Sequence, residues 1–374
     1  MPTAPRTPTR LTLLAAPLLV AGALHVGTLR PGAAGLSHGA GMSAARAAHT
    51  ATTLRDGRVL VAGGFTEKGS ARGAELYDPS TGRFAPLPPM VHTRHSHTAT
   101  LLADGRVLLA GGYAAGGVPV ADVEVFDPAT NRFAATGALT EPRSDHIAVP
   151  LPGGRILFAG GLGPDWTFLS SAEVYDPASG RSTRTGAMSV PRESHVGVRL
   201  RDGRVLVVGG HAGRRAAIVL YASAEIYDAT TGRFTRTGDM ASRRHKHDAT
   251  LLADGRVLVN GGSDERDIRG MYNTTEIFDP ARGTFSPGPV MHRGRYKHAG
   301  TATLLANGQV LLAGGAPEAE LLDPVTRRFV LVPGTSTMAG NFSAVAALQD
   351  GAVLITGGYG NGRGPQAATW LFRP

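Results

Sequence analysis

Six Arg-x-x-His tetrads recur along the chain: Arg46 and His49, Arg94 and His97, Arg143 and His146, Arg192 and His195, Arg244 and His247, and Arg295 and His298. A guanidinium fork binds carboxylate, sulfate or phosphate through parallel hydrogen bonds, and an imidazole moves protons near neutrality. A repeated residue is first of all a fold residue, however. Each His has a ready role as hydrogen-bond partner of a neighbouring backbone. Each Arg has one as partner of a carboxylate such as Glu75, Glu124, Glu173, Glu225 or Glu276, because a repeat supplies the same partner every time. Departures from the repeat are therefore the better guide to function. His95 with His97, and His245 with His247, form His-x-His pairs, a spacing that puts both imidazoles on one strand face and suits a divalent ion. No carboxylate is fixed beside them by sequence, so they are weak metal candidates and no cofactor is expected. The seventh unit carries Asn341 and Ser343 instead of the tetrad. In the sixth, the extra Ala299-Gly300 after His298 predicts a bulge that re-aims Tyr296, Lys297 and His298.

The elements that must position these residues repeat with them. A glycine pair ends a short apolar run seven times, at Gly63-Gly64, Gly111-Gly112, Gly160-Gly161, Gly209-Gly210, Gly261-Gly262, Gly314-Gly315 and Gly357-Gly358, with spacings of 43 to 53 residues. That period matches one four-stranded propeller blade. Within each unit the order is constant: strand A, an Asp-Gly or similar turn such as Asp104-Gly105, strand B, a variable loop, strand C ending in Tyr-Asp-Pro or Phe-Asp-Pro, then strand D. Strand D carries Phe84, Phe133, Phe234, Phe285 or Phe329, expected to pack between blades; the third unit has Ser182 there and should be looser. The seventh unit stops after strand C, at Trp370 to Pro374, so residues 34–42 are predicted to supply its outer strand and close the disc. The fold class is thus all-β: a seven-bladed β-propeller of antiparallel four-stranded blades closed by an N-terminal strand.

In the Gly-Gly pair, the later Tyr-Asp-Pro and the strand-D aromatic, residues 34–374 resemble the kelch repeat family, although strand D carries Phe where that family prefers Trp. The resemblance implies that strand A is innermost, which would set a nearly continuous circle of Arg and His around one mouth of the central channel. Kelch propellers also form the catalytic domain of secreted copper-radical oxidases resembling galactose oxidase. Those need a Cys crosslinked to a Tyr, and this chain has no Cys, so that mechanism is excluded.

Composition agrees with many short strands: 51 Gly and 25 Pro, 42% apolar residues and 6% aromatic residues. Without cysteine there is no disulfide, thiolate metal site or Cys nucleophile. A formal charge of +9 is carried by 35 Arg and three Lys, which suits planar anionic partners or reflects GC-rich codon usage. Arg6 and Arg10 precede an apolar run over residues 11–24 with the small triplet Ala21-Gly22-Ala23. Residues 1–23 are read as an export signal and 24–33 as a short linker, giving a secreted or periplasmic protein with no membrane span in the mature chain. The run is shorter than the roughly 20 residues a spanning helix needs, so an uncleaved membrane anchor is the lesser alternative.

The longest B–C loops belong to consecutive units three, four and five, and carry Trp166, Arg214, Tyr221 and Tyr272, while unit six has almost none. A tall wall opposite a low gap predicts a basin lined by Arg and aromatics. Such a basin suits a carboxylated or sulfated glycan or an acidic protein, with Arg94, His97, Arg143, His146, Trp166, Arg192, His195, Tyr221, Arg244, His247, Tyr272, Arg295, Tyr296 and His298 as candidate binding residues. Loop aromatics that merely hold the loops down are the bland alternative. The leading expectation is a monomeric binding module rather than an enzyme. The second is an exported epimerase or lyase for acidic sugars, with Arg192, Arg244 or Arg295 holding a carboxylate and His195, His247 or Tyr296 moving a proton. Export and the lack of a base-reading motif argue against nucleic acid.

Overall fold

Each glycine pair but the sixth follows a four-residue strand buried on both faces, for instance Val59–Ala62 and Val205–Val208. A strand buried on both faces needs a packed layer on each side. The computed structural model of the chain, which describes residues 35–334, 338, 340–360 and 364–374, supplies those layers from neighbouring blades. The chain divides into units of residues 1–33 and 34–374. The expected export signal and linker lie outside the described residues.

The second unit is a seven-bladed β-propeller of four-stranded antiparallel sheets. In the first blade, strands A to D are Thr50–Thr53, Val59–Ala62, Ala74–Asp78 and Arg83–Pro86. Seven apolar clusters lie one at each junction. One joins Leu60 and Leu76 of blade one to Val107, Leu109 and Phe126 of blade two, and another joins Val59 and Tyr77 of blade one to Ala346 and Leu354 of blade seven. No blade could bury its faces alone, so burial is a property of the closed disc.

Strand C sends an aromatic into the preceding junction, and the strand-D phenylalanine backs it: Tyr77–Phe84, Phe126–Phe133, Tyr227–Phe234 and Phe278–Phe285 pair with centroids 4.8–5.0 Å apart. In blade three, Ser182 instead donates to Glu173 Oε2 at 2.6 Å. There Phe158 on strand B fills the interior beside Tyr175. The A–B turns are wider than two-residue hairpins. Leu54 N–H donates to the Arg58 carbonyl across Arg55-Asp56-Gly57, Gly57 takes φ of +88°, and Asp56 Oδ1 accepts the Arg58 N–H.

Closure falls where the sequence puts it. Gly35–His38 pairs antiparallel with Thr369–Arg373, Leu36 opposite Phe372, and completes blade seven as its outer strand. Leu36 is 9% exposed and joins the cluster of Val353, Ile355 and Trp370. Leu36→Asp should therefore lower the melting temperature by several degrees or more, since it places a charge in the junction that holds first and last segments together. Ser37→Asp, on the solvent side, should leave it within about a degree or two; equal effects in thermal melts would argue against this closure.

Candidate functional site

The six repeated arginines are at most 1% exposed, and each is committed to its own blade. Arg46 donates to the carbonyls of Gly63 and Gly73 at 2.7 and 2.9 Å and to Glu75 at 2.8 Å. The same fork joins Arg94 to Glu124, Arg143 to Glu173, Arg192 to Glu225, Arg244 to Glu276 and Arg295 to Glu320, at 2.8–3.0 Å. The other oxygen of the carboxylate accepts a backbone N–H from the connector out of the preceding blade, as Val91 donates to Glu124 and Ser189 to Glu225. Each pair thus ties strand A, the end of strand B, strand C and the incoming chain. The arginines expected to hold an anionic ligand are spent on this clamp.

The repeated histidines are equally interior, at 0–6% exposure. His97 and His146 reach a threonine hydroxyl of the blade before, Thr50 and Thr98, at 3.2 and 3.1 Å, and His49 reaches Thr356 at 2.7 Å. Each also fixes a glycine. A Cβ on Gly63, at φ of +64°, would lie 2.6 Å from the Arg94 carbonyl oxygen and 2.8 Å from His97 Cε1, so no side chain fits where the next blade's histidine lies on the pair. Burial drives these imidazoles toward the neutral form: His49, His195 and His298 are pushed down to about 3, and His97, His146 and His247 fall well below their ordinary value.

Of the two residues inside each tetrad, the second lines the channel mouth, while the first is buried in blades one, three, five and six. The second of them, Ala48, Ser96, Asp145, Ser194, Lys246, Lys297 and Phe342 in turn around the disc, adopts φ of +49° to +54° in every blade. Non-glycine residues rarely adopt this conformation, and such strain gathers at working sites. Their backbones hydrogen-bond around the mouth in six of the seven steps: Ser96 N–H to Ala48 O, Asp145 to Ser96, Lys246 to Ser194, Lys297 to Lys246, Phe342 to Lys297 and Ala48 to Phe342. The side chains are thereby presented at the mouth, small in blades one, two and four, acidic in three, basic in five and six, aromatic in seven.

Above this circle a cavity of about 470 Å³ is lined by Phe65, His95, Asp145, Glu193, Lys246, Phe342 and Tyr359, among others. A narrower one of about 190 Å³ leads into the channel past Lys246, Lys297, Ala299 and the histidines. Burial pushes both Asp145 and Glu193 up, Glu193 further because Asp145 faces it. Lys297 donates to Tyr359 Oη at 3.0 Å and lies over Tyr296, Phe342 and Tyr359 at 5.1–5.6 Å. Lys246 meets Asp267 at 2.8 Å. A larger cleft, about 760 Å³, opens on the outer edge of blades four and five, but its Arg204, Arg236 and Arg282 are already paired with Asp202, Asp239 and Asp279.

The His-x-His pairs do not converge. The residue between them, Ser96 or Lys246, is left-handed and breaks strand alternation, so the two imidazoles part. His95 stays at the rim, bonded to Ser70 Oγ at 2.8 Å and stacked on Tyr113, while His97 enters the blade. Among the described residues no three His, Cys, Asp or Glu side chains form a group able to hold a metal. Of the wall aromatics, Trp166 is 54% exposed and stacks beneath Arg214 at 3.4 Å. Tyr221 and Tyr272 lie over the buried Arg192 and Arg244, and Tyr296 is itself buried. In the sixth-blade insertion exposed Ala299 and Gly300 turn at the channel, and Asp248 of blade five accepts N–H bonds from Gly300, Thr301 and Ala302 at 2.7–2.9 Å. Lys297 and His298 are not re-aimed, however: Lys297 keeps the left-handed φ of its equivalents and His298 lies on Gly261 as the other histidines lie on their glycines. Asp145, Glu193, Lys246 and Phe342 were not singled out in the sequence. The signal that marks them is their variation inside an otherwise constant tetrad.

A Kelch motif profile matches residues 46–91, which run from the first clamp arginine through the whole of blade one. Among solved structures, a novel fungal alcohol oxidase of the AA5 family, in complex with copper, superposes with a TM-score of 0.73 over 90% of this chain and 76% of that one, at 17% identity. The chain is a seven-bladed β-propeller with a Kelch motif in its first blade. YjhT is a second structural relative of this propeller, with a TM-score of 0.61 over 78% of this chain and 98% of its own, at 12% identity. At such identities the likeness is one of fold. No curated protein matches the chain in sequence.

Two outcomes follow from the clamp and the insertion. Unfolded imidazoles protonate near pH 6.5, but the buried ones only near 3, so in that window the unfolded chain binds more protons and stability falls with pH. The melting temperature should drop steeply from about pH 6.5 to 4; a flat profile would mean the imidazoles are charged in the fold. Asp248→Ala strips three inward N–H groups of their acceptor and should cost about 2–5 kcal/mol in denaturant melts. A loss below 0.5 kcal/mol would show that the insertion is held otherwise.

Proposed function

We propose that this propeller is a binding module whose loop-face basin recognises an anionic glycan or an acidic protein surface. The observation that carries the reading is the placement of lysine. The chain has three, and two of them, Lys246 and Lys297, stand in adjacent blades at the channel mouth. Phe65, Phe342 and Tyr359 beside them offer apolar faces for a sugar ring or peptide. Asp145 and Glu193 share the basin, but burial raises both toward the neutral acid, which donates a hydrogen bond instead of repelling an anion. The leader-like residues 1–23 would place the module outside the cytoplasm.

A second reading, an epimerase or lyase acting on acidic sugars, is favoured by one observation: two carboxyls raised toward neutrality line the same cavity as Lys246. It would have to use those groups, because Arg192, Arg244 and Arg295 are buried in the clamp and His195 and His247 are buried against the glycine pairs.

The test is a glycan array of uronate, sulfated, sialylated and neutral glycans, repeated with the Lys246→Ala/Lys297→Ala double variant. Selective capture of anionic glycans, weakened more than about tenfold in the variant and by added salt, is expected. Equal capture of neutral glycans, or a variant that binds as the parent does, would overturn the reading. Chemical conversion of a bound glycan, followed by NMR, would favour the second.

A further inference from the structure

Where blades four and five meet, at the side of the basin, two imidazoles face each other. His211 Nδ1 lies 3.2 Å from His245 Nδ1, with the two planes at 84°. On the far side of each stands a carboxyl: Glu193 Oε2 is 3.5 Å from His211 Nε2, and Asp267 Oδ1 is 3.8 Å from His245 Nε2. A carboxyl group on the outer nitrogen of each imidazole is the arrangement that orients metal-ligating histidines, and a cation at the inner nitrogens would favour its ionised form. At 3.2 Å the two Nδ1 atoms are within hydrogen-bond distance, which needs a proton on one of them; a divalent ion would take the place of that proton, with both imidazole protons then on Nε2.

The spacing fits an ion. Zinc–nitrogen bonds of about 2.0–2.1 Å put two nitrogens of a tetrahedral site roughly 3.3 Å apart. The pair is also built. His211 is 6% and His245 2% exposed, Phe168 packs edge-on against His211, and His245 is bridged through its backbone to Ser263. At the junction of blades one and two the matching residues are Phe65 and His95, which pack edge to face with only one imidazole.

We propose that His211 and His245 form a two-imidazole site for a divalent ion of the zinc class, whose remaining positions are filled by water or by an oxygen of a bound ligand. Imidazole nitrogen suits zinc, copper and nickel among the first-row metals, and an incomplete protein shell is the form that leaves coordination open. The site is independent of whether an anion binds at the lysines, so the two readings fail separately.

The experiment is calorimetric titration of Zn²⁺ into tag-free, chelator-dialysed protein, with the Co²⁺ absorption spectrum as a second readout. Near one equivalent of Zn²⁺ and a tetrahedral Co²⁺ band are expected. Affinity should fall more than about tenfold in His245→Ala and in His211→Phe, which copies the Phe65 junction, and should persist in His95→Ala. The His211→Phe variant keeps the packing, and its melting temperature shows whether it folds. Absence of saturable binding, or binding of unchanged affinity in folded His211→Phe, would overturn the proposal and leave the two imidazoles sharing a proton.

Discussion

Everything at the working face depends on a charge pair buried where it has no access to water. Each guanidinium from Arg46 to Arg295 gives one nitrogen to carbonyls at the end of strand B and another to a strand-C glutamate. That glutamate also takes an N–H from the incoming chain. Removing one member of such a pair strands the other in low dielectric, at roughly 3–5 kcal/mol. The clamp therefore holds the turn ahead of strand A in one shape, six times over, and each turn so held presents a left-handed alanine, serine, aspartate or lysine at the channel.

This arrangement separates two jobs that share four residues of sequence. The outer members of the tetrad build the disc, and the second inner member is free to differ because its side chain faces the channel mouth. The result is a mouth with direction: carboxyls from blades three and four, ammonium groups from five and six, aromatics from seven and one. The strand-B exits add a second tier, Phe65, Tyr113, Leu162, His211, Ser263 and Tyr359, bridged by backbone to the first inner residue of five tetrads and of the matching turn in blade seven. Identical backbones with different side chains are how a repeat fold makes an asymmetric site.

Much of the fold was legible in the sequence because its signals are steric. Gly63 and its equivalents can be nothing else once a histidine lies on them, and a seventh blade lacking strand D demands Leu36 beside Phe372. The pairing of Arg192 with Glu225 was legible for the same reason, as a partner recurring with the repeat. The site was not. Strand alternation put His95 with His97, and nothing in residue spacing reports that Ser96 is left-handed and turns them apart. Nor does spacing say that two imidazoles 34 residues apart, His211 and His245, meet across a blade junction. The residues that recur most look most like a site, and here they are the least accessible.

The measurement that bears most directly on this division of labour is a comparison of thermal melts for Glu225→Gln, in the clamp, and Glu193→Gln, at the mouth. Loss of the buried partner of Arg192 should lower the melting temperature by several degrees. Neutralising Glu193, whose ionised form burial already disfavours, should leave it unchanged or raise it. The reverse order would place the structural charge at the mouth and contradict the account.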